Sequence, residues 1–85
     1  MRMSSELAGS LEDIYGIVLF FRENTEDEEL FEALDFILKK IEDFLIADHE
    51  EREYLDFIVE LYTMVMSNPL TKFLGVYIRD FLPKR

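Results

Sequence analysis

Cysteine is absent from the 85 residues of this chain, which excludes both a disulfide and a thiolate metal site. Glutamine is also missing, and there are two asparagines and a single histidine. Depletion of thermolabile side chains beside a charged fraction of 33% is the pattern of thermophilic proteins, although four methionines pull the other way. The longest apolar run, Ile14 to Phe21, has eight residues, whereas a membrane helix needs about 20. Glu6, Glu12 and Asp13 interrupt any signal-peptide core. These absences predict a cytoplasmic protein with no membrane partner and no cofactor. With no repeat, linker or low-complexity tract, residues 1–85 read as one domain.

Basic charge is scarce as well. Nine lysines and arginines face 19 acids, for a net charge of −10. Glu23 to Glu60 holds 15 acids against Lys39, Lys40 and Arg52, so this stretch alone carries −12. The four bases after Leu61 are spread along one helix and a tail. Phosphate backbones require clustered Lys and Arg, so direct nucleic-acid binding is not expected.

What the chain has in abundance is large apolar side chains: 12 Leu, 8 Phe and 7 Ile. A domain this small buries only ~60–65% of its unfolded surface. Self-association is the natural outlet for the remainder.

The apolar spacing is helical. Leu30, Phe31, Leu34, Ile37, Leu38, Ile41, Phe44 and Leu45 recur at steps of three and four. Thr25 with Glu28 has the spacing of a capping box, and Asp48 with Glu51 repeats it. Asn68–Pro69 reads as a cap followed by proline at the first helical position, and Pro83 as a stop. These marks predict helices at Ser5–Arg22, Glu26–Ala47, His49–Met66 and Pro69–Leu82. The third has apolar residues over about 220° of its circumference, so it must touch neighbours on more than one side. Two alternatives stay open: a buried strand at Ile14–Phe21, whose residues favour one, and a continuous middle helix. Against the latter, the Leu38–Ile41–Leu45 register runs into Asp48 and Arg52. The expected fold is all-α, a small antiparallel bundle of four helices per chain completed by dimerisation.

Acids in the first turns of the second and third helices interact with the positive end of the helix dipole, which accounts for seven of the 15. The surplus predicts a partner. An excess of negative charge weakens the compact state by self-repulsion and speeds association with basic surfaces. Glu26, Asp27, Glu28, Glu29 and Glu32, with Phe36, are the candidate partner-binding residues. The corresponding function is a non-enzymatic interaction module that acts on a basic protein surface, as an inhibitor, an antitoxin or immunity protein, or a nucleic-acid mimic would. A structural subunit of a larger assembly is a further reading.

Catalytic chemistry has few anchors. His49 has no partner for a triad or metal site, and Ile46 stands where a Glu-x-x-His motif needs its acid. One carboxylate pattern does carry chemistry. Glu29 and Glu32 form E-x-x-E, and Glu53 and Asp56 form E-x-x-D, each pair one helical turn apart. Carboxylates that converged between two helices would suit Mg²⁺. The arrangement resembles the metal motif of all-α nucleotide pyrophosphatases of the MazG type, over those four residues and their helices. The resemblance implies Mg²⁺-dependent release of pyrophosphate. On the wheel, however, Glu29 and Glu32 flank the apolar stripe, and Glu53 and Asp56 lie opposite Ile58, facing water. The favoured reading assigns no catalytic residue.

Phe20 and Phe36 leave the apolar stripes of their helices, while Phe57 and Met64 widen that of the third. A homodimer burying Phe20, Phe57 and Met64, with Phe36 as a further contact, is the expected assembly.

Overall fold

The computed structural model describes residues 3–83. Three long helices, α1 (Met3–Asn24), α2 (Glu28–Leu45) and α3 (Glu51–Ser67), precede a shorter C-terminal helical segment. That segment runs through a 3₁₀ turn at Lys72–Leu74, a single α turn that we label α4 (Gly75–Ile78), and a second 3₁₀ turn at Arg79–Phe81. The fold is therefore an all-α bundle. Ile14–Phe21 is helical throughout, and no strand occurs among the described residues. No described helix is long and apolar enough to cross a membrane.

α1 is the hub: it packs along α2 and also touches α3 and α4. Its Leu11, Ile14 and Val18 form a fully buried stripe. Leu34, Ile37, Leu38 and Ile41 of α2 meet it, as do Tyr54, Phe57, Ile58, Leu61 and Val65 of α3. Leu74 and Ile78 complete the core from the C-terminal segment. The broad apolar sector of α3 is thus shared between α1 and that segment.

The helix starts differ from those expected. α2 begins at Glu28 rather than Glu26, because Asp27, not Thr25, is its N-cap: Asp27 Oδ1 accepts from the Glu29 and Leu30 amides at 3.0 and 3.4 Å. The Thr25 hydroxyl accepts from the Asp27 amide and so shapes the approach instead. At α3 the reciprocal carboxylate belongs to Glu53, which accepts from the Glu50 amide at 2.9 Å. The Asp48–Glu51 box is not formed, and residues 46–50 separate two distinct helices.

The fourth helix is the largest departure. Asn68 does not cap a helix at Pro69. Its side-chain oxygen accepts from the Leu70 amide at 3.0 Å, and its carbonyl accepts from the Thr71 amide at 3.0 Å. This local turn competes with helical geometry, and helix resumes only at Lys72. Thr71 is the one buried polar residue among the described residues, and its hydroxyl donates to the Val65 carbonyl at 2.9 Å. It adds a second and shorter donor to a carbonyl at the end of α3 that the Asn68 amide reaches at 3.4 Å. Gly75 brings the segment against α3, since a Cβ there would run into the Met66 thioether.

Thr71→Val keeps the volume and removes that donor. Thermal unfolding followed by circular dichroism should show a loss of about 1–2 kcal/mol, or roughly 4–8 °C in Tm per kcal/mol. An unchanged Tm would show that the Val65 carbonyl has no need of the hydroxyl.

Candidate functional site

The residues singled out from the sequence fall on two separate surfaces. Glu26, Asp27, Glu28, Glu29 and Glu32 are all exposed around the start of α2. None of the five forms an ion pair among the described residues. Asp27 is partly committed to the fold as the N-cap. The other four project freely.

Two turns further on, α2 presents Phe36, 57% exposed, with the Lys40 ammonium 5.7 Å from its ring centre. Phe36 and Met64, which are distant in sequence, are brought together: with Ala33, Ile37, Asn68 and Thr71 they line a groove of about 200 Å³. An apolar pocket beside free carboxylates can seat an aliphatic stem while the rim attracts its cationic head.

Just behind this flank the charges are paired. Asp35 receives Arg22 Nη1 at 2.6 Å and Lys39 Nζ at 3.0 Å, and so ties the last turn of α1 to the middle of α2. The guanidinium also lies over the Phe31 ring at 5.2 Å, so this stripe residue sits at the edge of the core rather than within it. The Lys39 ammonium, followed by the Arg22 guanidinium, holds the Asp35 carboxyl below the usual carboxylate range. The Tyr15 hydroxyl donates to Glu42 in a second link between α1 and α2, and that bond raises the phenol above its ordinary value.

Phe57 is not a surface residue. It is 8% exposed and stacks on Phe44 with ring centres 4.1 Å apart. His49 stacks on the other face of the cluster at 3.8 Å from Phe44, with Tyr54 edge-on to both. The histidine lies in the turn between α2 and α3 rather than at the start of a helix, and most of its surface is covered. Its Nε2 is 2.7 Å from the Phe44 carbonyl and its Nδ1 is 3.3 Å from the Glu53 carboxylate. The cluster staples the turn. Phe57 is therefore removed from the dimer contacts, because aromatic stacking within the chain has already covered it.

The four-carboxylate arrangement does not assemble. Glu29, Glu32, Glu53 and Asp56 are all exposed, and no three His, Asp or Glu side chains among the described residues could hold a metal ion together. The reason is topological. Both pairs lie near helix N-termini, and a tight antiparallel turn puts successive N-termini at opposite ends, roughly 20 Å apart at 1.5 Å per residue. Glu53 serves its helix cap instead: the Glu50 amide first, then His49, lowers its pKa. Asp56 has Arg52 at 3.7 Å.

Phe20 occupies the second surface. It is 61% exposed and lines a groove of about 430 Å³ between α1 and the C-terminal segment. The groove's other aromatic walls are Phe21 and Tyr77. Leu70, Phe73, Leu74, Tyr77, Ile78 and Phe81 recur at helical spacing, so nothing in the sequence marks Tyr77 as standing outside the core.

No protein-family model, curated protein or solved structure matches this chain. Its function is argued from its own residues.

Folding favours the ionised form of Asp35, so its contribution is complete above its unfolded pKa and disappears as pH falls through the lowered folded value. In urea unfolding, the gap between wild type and Asp35→Asn should therefore be widest above the ordinary carboxylate range and close only as pH falls through the lowered folded value. A gap of constant width would show that the Arg22–Asp35–Lys39 cluster does not act through charge.

Proposed function

We propose that this protein is a non-catalytic interaction module whose acidic flank at the start of α2 docks on a basic protein surface, and that it acts as a homodimer. The observation that carries the reading is the contrast within α2. Asp35, in the middle of the helix, is doubly paired with bases, whereas Glu26, Glu28, Glu29 and Glu32, at and just before its start, have none among the described residues. A cluster of like charges held together without counter-ions weakens the fold by repulsion, and a cationic partner relieves it. The neighbouring Phe36–Met64 groove supplies apolar contact beside the charge. Inhibition of a basic enzyme, neutralisation of a toxin, or mimicry of a phosphate backbone would all use such a flank. The choice among them depends on the partner.

Capture from native lysate should retain a basic protein at low salt and release it at high salt. Glu28→Lys, Glu29→Lys and Glu32→Lys together should weaken capture by about tenfold or more while helical content is kept. Retention of the same protein by the triple variant would remove the α2 flank from the interface.

A further inference from the structure

The bundle is a slab of 41 × 27 × 15 Å between Cα atoms. A Cα-to-Cα depth of 15 Å is that of two helix layers packed ~8–10 Å apart, yet several large apolar side chains stay exposed on its faces. One such surface lies where α1 meets the C-terminal segment. Phe20 projects from α1, and Phe73, Val76 (63% exposed) and Tyr77 from the segment. Phe21 links the two, edge-on to Phe73 at 5.0 Å and 5.5 Å from Tyr77.

Next to the Phe20 ring, the 430 Å³ groove opens over Gly16, with Ile17 beside it and Glu12 and Asp13 on the rim. Nothing lies within 4 Å of where a Cβ would stand on Gly16, so this stretch of helix surface is bare. A knob and a hole thus sit side by side on one face, which is what a two-fold contact requires of each copy. The geometry points to this face as the homodimer contact, with Phe20 of each protomer seated in the groove over Gly16 of the other.

Apart from Glu12 and Asp13 on the rim, the strip is uncharged: residues 14–21 and 73–78 contain no charged side chain, while the whole chain carries −10. Two identical acidic molecules approach at least electrostatic cost along this strip, and a basic partner is drawn elsewhere, to α2. Area agrees as well. At ~150–250 Å² per large aromatic side chain, the exposed rings and Val76 offer on the order of 400 Å². With the rim, this approaches the ~600–800 Å² per subunit of a small specific interface. The inference rests on the dimeric part of the proposed function and assigns it a surface, one that excludes Phe57 and does not use the Phe36–Met64 groove.

Sedimentation equilibrium across ionic strength tests it. Wild type should approach twice the 10.2 kDa chain mass at tens of micromolar. Association should strengthen with added salt as like-charge repulsion is screened, opposite to capture of a basic protein. Phe20→Asp and Gly16→Leu should each raise the dissociation constant about tenfold or more. Gly16→Leu fills the groove from a site with room inside the chain, so loss of association there is not loss of fold; circular dichroism confirms it. Ile46→Ser, at an 82% exposed position in the α2–α3 turn, should change nothing. A monomer at every salt concentration overturns the inference together with the dimeric reading. A dimer that both groove variants leave intact overturns only this surface. If the chain is monomeric and a synthetic Leu/Lys amphipathic helix binds in a Phe20-dependent way, the groove belongs to a foreign helix and the inference falls.

Discussion

Burial of one stripe on α1 holds the molecule together. Leu11, Ile14 and Val18 are covered completely, and every other element gains its place by packing on that stripe or on what packs there. Removing three branched side chains from water contributes about 1.5–3 kcal/mol each, a large share for a domain of this size. The polar links follow the same axis. Arg22–Asp35 and Tyr15–Glu42 both join α1 to α2, so charge fixes the register that apolar contact leaves free to slide.

That economy has a cost in surface. The apolar residues on the outer side of α1 and of the C-terminal segment, Phe20, Phe73, Val76 and Tyr77, have no further helix to cover them. Most of the acids lie elsewhere, on α2 and α3 and the turns that precede them. On the proposed reading, one flank meets a second copy and another meets opposite charge. Salt would strengthen the first attraction and weaken the second, so the two would not compete for the same conditions.

Local pattern made α1 to α3 readable in the sequence. Steps of three and four placed Leu34, Ile37, Leu38 and Ile41 in the core, and the Asp48–Arg52 interruption marked the break between the second and third helices. Helix starts were less readable, because several acids in a row could each serve as a cap and only one geometry wins. The fourth helix was misjudged because Asn68 has two uses, capping a helix or closing its own turn, and the buried Thr71 hydroxyl tips it to the second. At the candidate site, exposure of Glu26 to Glu29 and Glu32 followed from the helical wheel. The stacking of Phe57 on Phe44, the meeting of Phe36 with Met64, and the failure of the four carboxylates to converge all depend on how helices lie against one another. Spacing along the chain does not encode that.

The short α turn between two 3₁₀ turns also bears on which part of the molecule opens first. Its hydrogen bonds are few and poorly aligned compared with those of a long helix, and Leu74, Ile78 and Thr71 are its main anchors in the interior. Cooperative units with few anchors unfasten well below the global unfolding free energy. Amide exchange from Lys72 to Phe81 would then outpace that of α1, and each excursion would bare Leu74, Ile78 and the flank of α3 beneath them. A neighbour pressed against Phe73 and Tyr77 would act as a latch, coupling the lifetime of the closed form to protein concentration.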